Sequence, residues 1–419
     1  MKSIQFVQVF LILTTSPGIC RGQGAASFPA TISLTLAKAE ELALAGNPHI
    51  HAADERAQAA SKQAPQDLSP ADPVFMIDKT TPGMETWMVD EDLGFPGKSL
   101  AKADVDGAET KRLQAMALDT RRSILFQARQ AFWDFYFRQK AYALLGDAQK
   151  QWKVLGQALQ SRELTGQWLS LKAVRAQMET AKSANGLLTA GKSLRVSQFN
   201  LNHLFNQPHG TDYALSSEPS LPPFEGSEED YVQKTLKGNP AIAASRRVVE
   251  AQDARKNLAA LDHLPDFNVR LSGLRDPAGS GFSDYGFRVG ISIPLFFPAK
   301  QGQALGQAAD ELAAARFDLQ GAQNEAIHMV EEAYVEAESA WRILKLYDEG
   351  GLVKQTQRAW EGAKLAYRNE EMPLMEYVES FNTYLETVTQ YYQARADYGK
   401  ALARLQYEVG ETGIKGEQK

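Results

Sequence analysis

The chain of 419 residues has one cysteine, Cys20, so it forms no disulfide within itself and offers no thiolate metal site. Its six histidines are scattered, and His49 and His51 would point to opposite sides of a helix. Glu325 and His328 have di-iron spacing, but such a centre needs a second pair and two more glutamates from partner helices. No glycine-rich phosphate loop, serine-centred elbow or metal-ligand cluster occurs, so the sequence predicts neither an enzyme nor a bound cofactor. The formal net charge of −6 lacks the basic excess of a nucleic-acid partner. Beyond the N-terminal segment no run of about 18 apolar residues occurs, which excludes a membrane-spanning helix.

What is present begins with an export signal. Lys2, an apolar run over 4–13 and small residues through Ala26 read as a signal peptide, residues 1–26, too short to cross a bilayer as a helix. Cys20 stands where a lipidated cysteine would, although Ile19 fills a position that wants a small residue. The mature chain would start within 20–27; the whole sequence is 44% hydrophobic and 23% charged, as in folded proteins.

The chain then says nearly the same thing twice. Gly46-Asn47-Pro48 returns as Gly238-Asn239-Pro240, and Phe95-Pro96-Gly97-Lys98 returns as Phe297-Pro298-Ala299-Lys300. Ala131-Phe132-Trp133-Asp134 returns as Ala333-Tyr334-Val335-Glu336, and Leu201-Asn202-His203-Leu204 returns as Leu402-Ala403-Arg404-Leu405. The order is kept, so a first repeat over 27–208, a linker over 209–226, a second repeat over 227–410 and a tail over 411–419 divide the chain.

Within each repeat, Gly46 and Asn47-Pro48 read as the end of one helix and the start of another. Period-2 patterns follow. Tyr285, Phe287, Val289, Ile291, Ile293 and Leu295 alternate with small or polar residues, Phe267, Val269 and Leu271 form a matching face, and Trp87, Val89, Leu93 and Phe95 repeat it with Glu91 intruding. Hairpins are expected at about 73–95 and 266–295. Proline-free stretches rich in helix formers predict long helices over 98–166 and 299–372, the second with an irregularity at Gly350-Gly351, and return helices over 170–206 and 374–409. Each long helix would run roughly 100 Å, which a globular domain does not need.

In an exported chain, strands of about ten residues with one apolar side suit a bilayer. Lipid tolerates no unpaired strand edge. Four strands cannot close a barrel, since about eight is the smallest found in membranes, so several copies must pool their strands.

The span from about Leu34 to Gly410 resembles the TolC-like outer-membrane efflux protein family. The residues that carry this are Leu34-Thr35-Leu36 with Ala39 through Asn47-Pro48, Leu93-Gly94-Phe95-Pro96-Gly97-Lys98, Leu201 through Pro208, and Ala366-Tyr367-Arg368 leading to Met375-Glu376-Tyr377-Val378. The resemblance implies a mainly α fold with a small β part: a homotrimer whose twelve-stranded barrel sits in outer-membrane lipid and continues as a twelve-helix periplasmic α-barrel. It further implies an exit duct for an inner-membrane pump, favouring the RND type, docked through a periplasmic adaptor protein. An adaptor itself, or a duct for protein secretion, are the alternative readings. The Pro-Gly-Lys element looks closest to members that serve heavy-metal exporters. Where the family's tip has glycine after Tyr-x-x, this chain has Glu370; Pro373 intrudes, and Glu376 replaces the usual aspartate.

The expected sites follow from such a duct. Tyr367, Arg368, Glu370, Glu371 and Glu376 are candidates for a gate at the periplasmic mouth, where threefold repetition of carboxylates would favour cations; solvated turn charges would look the same in sequence. Gly166, Trp168, Leu169, Met372 and Leu374 are candidates for an adaptor-docking tip, against packing within the trimer. The aromatic cluster of Phe132, Trp133, Phe135, Tyr136, Phe137 and Tyr142 reads as packing. Met76, Met84 and Met88 near the outer loops admit soft-metal contact but read as ordinary side chains.

Overall fold

The Gly-Asn-Pro punctuation does the same job in both repeats. A computed structural model describes residues 31–79, 85–95, 97–163, 170–275 and 282–410. The first repeat runs β1 (Thr31–Leu34), α1 (Leu36–Gly46), α2 (Pro48–Ser61), α3 (Gln63–Asp67), β2 (Val74–Asp78), β3 (Glu85–Leu93), α4 (Lys98–Glu163) and α5 (Ser170–Leu204). After β4 (Asp212–Leu215) the second runs α6 (Glu228–Gly238), α7 (Pro240–Leu261), β5 (Asp266–Arg275), β6 (Phe282–Ser292), α8 (Gln301–Glu349), α9 (Leu352–Arg368) and α10 (Leu374–Val409).

Asn47 caps α2 by accepting from the His49 N–H at 3.0 Å, and its amide donates to the Leu204 carbonyl at the end of α5. Asn239 caps α7 from the Ala241 N–H at 2.8 Å and donates to the Glu408 carbonyl at the end of α10. Each asparagine thus starts one helix and ties it to the last turn of the return helix, with proline at the first helical position.

The four longer strands form one antiparallel sheet in the order β2-β3-β5-β6. Its register sorts the side chains. Phe75, Val89, Leu271 and Phe287 lie in one row across the sheet, and Leu93, Phe267 and Ile291 in another on the same face. On the opposite face Asp90, Arg270 and Arg288 share a row; Arg270 donates to both oxygens of Asp90, and Asn268 donates to Asp92 at 2.6 Å. Large apolar side chains of the first face are exposed, Phe287 at 68% and Ile291 at 58%. Glu91 is the charged exception on that face.

Strands β3, β5 and β6 have 9, 10 and 11 residues, near the expected ten, but β2 has only 5. Pro70 and Pro73 precede it and lack the N–H that a ladder requires.

Helix α4 holds 66 residues, roughly 100 Å of rise. Its counterpart is not continuous: α8 ends at Glu349, Gly351 adopts φ +58°, and α9 starts afresh. The irregularity expected there is a full break. A parallel pairing of β1 with β4 joins residues Thr31–Leu34 to Asp212–Leu215, the second of which falls in the stretch read as linker. The aromatic cluster of α4 packs as expected: Phe132, Trp133, Phe135 and Tyr136 are buried with Leu34, Ala43, Leu201, Phe205 and Tyr213. Tyr142 departs from it and is 40% exposed. Among the described residues no helix is long and apolar enough to cross a membrane.

Candidate functional site

The turn between α9 and α10 is set by backbone chemistry. Glu370 adopts φ +63°, the left-handed region that glycine enters freely. Its N–H donates to the Tyr367 carbonyl at 3.1 Å, and the Glu371 N–H donates to the Ala366 carbonyl at 2.9 Å. This pair of bonds closes a Schellman motif, so the carbonyls at the end of α9 are satisfied. The glutamate stands where the family's glycine would, and it takes the glycine's conformation.

Aromatic stacking holds the two helices together below the turn. Tyr367 stacks on the buried Tyr377 at 5.0 Å, and Trp360 stacks on Phe381 at 5.1 Å and on Tyr384 at 4.9 Å. Burial pushes the Tyr377 phenol above its ordinary range, so it stays a neutral packing partner. Arg368, Glu370, Glu371 and Glu376 are exposed around this rigid base, which brings four of the five gate candidates onto one end of the molecule with Tyr367 beneath them. The turn can therefore present charge.

The docking candidates divide. Leu374 is 4% exposed and packs with Trp152, Tyr377, Val378 and Phe381, so it belongs to the core of its own chain. Met372 is half-buried against the same cluster. The apolar groups that do face outward are Met375 at 55% and Leu365 at 60%. The spacing Leu374, Tyr377, Val378, Phe381 is the i, i+3, i+4, i+7 stripe of a core-facing helix and carries the signal that separates them. Gly166, Trp168, Leu169, Met84 and Cys20 lie outside the described residues.

At the other end, the strand-to-helix corner is an ionic latch. Lys98, its side chain 11% exposed, donates to the Leu264 carbonyl at 3.1 Å and to Asp266 at 2.8 Å, with Asp262 at 3.8 Å. Asp266 also accepts from the Phe95 N–H at 3.0 Å. The latch fixes where β3 hands over to α4 and pins that corner to the start of β5. Midway along, Glu218 of the linker lies against Lys140 at 2.6 Å and accepts from Tyr136, while Arg395 donates to the Pro219 carbonyl at 2.8 Å. Burial opposes ionisation of Glu218, yet the hydrogen bonds from Lys140 and Tyr136 hold it below the usual carboxylate range. Among the described residues no group of three or more His, Cys, Asp and Glu side chains could hold a metal ion.

A duplicated chain with one open antiparallel sheet at one end and long antiparallel helices below it, the longest roughly 100 Å, is a known architecture. Residues 231–411 match the family described as outer membrane efflux protein. The match spans the second repeat and leaves the first outside it. Solved structures extend the likeness over both repeats. The Campylobacter jejuni CmeC outer membrane channel is 16% identical with a TM-score of 0.75, over 90% of this chain and 85% of that one. The open state of the Neisseria gonorrhoeae MtrE outer membrane channel is 15% identical with a TM-score of 0.73, over 93% and 95%. The Vibrio cholerae outer membrane protein VceC is 17% identical with a TM-score of 0.69, over 90% and 96%. Among curated protein sequences none matches. The mainly helical fold with a small sheet, expected from the sequence, is the fold of these TolC-like channels. The fold over both repeats is that of these channels, and the family match covers the second repeat.

Proposed function

We propose that this chain is the passive exit duct of a tripartite efflux system. Three copies pool their sheets into a twelve-stranded barrel in the outer membrane, and their helices form a hollow periplasmic stalk. An inner-membrane pump of the RND type supplies the cargo through a periplasmic adaptor that meets the α9–α10 turn.

One observation carries this reading. Among the described residues the sheet of four strands has two unpaired edges, β2 and β6, and an exposed apolar face. In water such edges invite aggregation, and in lipid they are forbidden, so the sheet is complete only when joined to others. The opposite face is polar and ion-paired, as the lining of a water-filled lumen requires. A periplasmic adaptor would need neither the duplication nor the lipid-suited face. The exposed charges at the α9–α10 turn then ring the periplasmic mouth, and Tyr367 with Arg368 holds it closed.

Reconstitution into a planar lipid bilayer tests the proposal. The duct predicts discrete conductance steps from the purified protein; a preparation that enters the bilayer and conducts nothing would overturn it.

A further inference from the structure

The two strand-to-helix corners are copies of one another, yet only one of them is satisfied. In the first, Lys98 is buried against the segment 262–266 that leads into β5. In the second, the equivalent Lys300 is exposed and makes no side-chain hydrogen bond or ion pair among the described residues. The difference follows from sheet order. Strand β3 has β5 beside it to offer acceptors, whereas β6 is an edge with no further strand beside it among the described residues.

The internal repeat says what belongs there. The relation that carries Gly46-Asn47-Pro48 onto Gly238-Asn239-Pro240 also carries Pro73 onto Pro265, so the segment leading into β2 is the counterpart of the segment leading into β5. Asp72 then takes the place of Leu264, whose carbonyl accepts from Lys98. Residues 70–74 contain one carboxylate, that of Asp72. Asp72 is exposed and makes no ion pair among the described residues. It sits beside β2, the other open edge. Apolar side chains flank both orphans: Leu295 and Phe296 are 81% and 78% exposed near Lys300, and Leu68 is 53% exposed near Asp72.

We propose that Lys300 of one copy binds Asp72 of the next, at the place where Lys98 meets the Leu264 carbonyl within one chain. The occupant of the β6 edge is thus a second copy of this chain, entered at its β2 edge, with Leu295 and Phe296 covered against Leu68 of that copy. Three such contacts close the ring. An adjoining charge pair that is partly desolvated by apolar neighbours gains strength over an exposed one. The inference rests on the reading of pooled copies under Proposed function and adds the residues that set the register between them.

Charge reversal with rescue tests it in the detergent-purified full chain. Lys300→Glu and Asp72→Lys should each lower the temperature at which the trimer dissociates, and the double variant should recover most of the loss, because the pair is rebuilt with its signs exchanged. A double variant as weak as the sum of the single ones would overturn the proposal, as would single variants with unaltered trimers. A second measurement is independent of stability. A chain carrying Lys300→Cys and Asp72→Cys should be linked into dimers and trimers by a short bis-maleimide, with each single cysteine variant controlling for Cys20. Absence of linked species from an intact trimer would contradict the contact. Failure of the pooled-copy reading is separable, since it would show as a monomer in the wild-type sample before any variant is made.

Discussion

Gly399 allows α10 to press against the aromatic face of α4, and replacing it with alanine isolates that contact. A Cβ at Gly399 would lie 2.6 Å from the Trp133 indole nitrogen and closer still to two ring carbons, well short of the 3.4 Å at which ordinary van der Waals contact begins. Trp133 cannot step aside: it is 2% exposed and packed edge-on against Phe132 and Tyr136, both at 5.5 Å between ring centres. Alanine favours a helix over glycine by about 1 kcal/mol. Overpacking a filled core costs about 1–3 kcal/mol and occasionally more, so Gly399→Ala should be destabilising on balance. Gly321 and Gly362 supply the control, because a Cβ at either meets nothing within 4 Å in the chain. The same substitution there should stabilise by about 1 kcal/mol. Thermal melting followed by helical circular dichroism, run on the three variants side by side, reads the sign directly. A Gly399→Ala protein that melts with or above the wild type would refute the close approach of α10 to α4.

Three further outcomes are expected. Glu370→Gly should raise the stability of the distal turn by about 1 kcal/mol, since glycine enters the left-handed region without the Cβ cost; slower amide exchange at Glu371 would register it, and faster exchange would mean that the glutamate side chain contributes more than its backbone costs. Replacing Tyr367 and Arg368 with alanine should increase single-channel conductance or antibiotic entry, and an unchanged conductance in an assembled trimer would remove both from the gate. The Asp106 carboxyl is pushed up to about 6, first by its hydrogen bond with Asp67 and then by burial. Its folded form therefore binds a proton more readily than the unfolded chain, so stability should fall as pH rises from about 4 through 6. Asp106→Asn should flatten that slope in melting curves taken across the window.

Much of this fold is written in local chemistry. The Asn47-Pro48 and Asn239-Pro240 starts, the long proline-free helices and the period-2 faces of β5 and β6 depend on neighbours within a few residues, which a sequence displays. The β1–β4 ladder does not. It joins four-residue strands far apart in the chain, too short for either to show alternation alone. The Gly350-Gly351 pair marks an irregularity, but whether a helix bends or ends there depends on Gly351 adopting a positive φ, which two glycines permit without requiring.

The candidate sites were legible to the extent that their roles are local. Glu370 stands out against the glycine that the resemblance implies, and its backbone adopts the left-handed conformation that glycine enters freely. Leu374 reads as a tip residue because it is apolar and lies at the turn, although its stripe with Tyr377, Val378 and Phe381 assigns it to the core. The latch of Lys98 was invisible: its acceptors Leu264 and Asp266 come from the other repeat, and only the sheet order brings them together.

The account depends most on the claim that one chain holds a third of a lipid-borne barrel, and the mass of the detergent-purified particle tests that claim most directly. Light scattering with the detergent contribution subtracted should give three polypeptides per particle. A monodisperse single polypeptide that stays in solution after the detergent is withdrawn would contradict it.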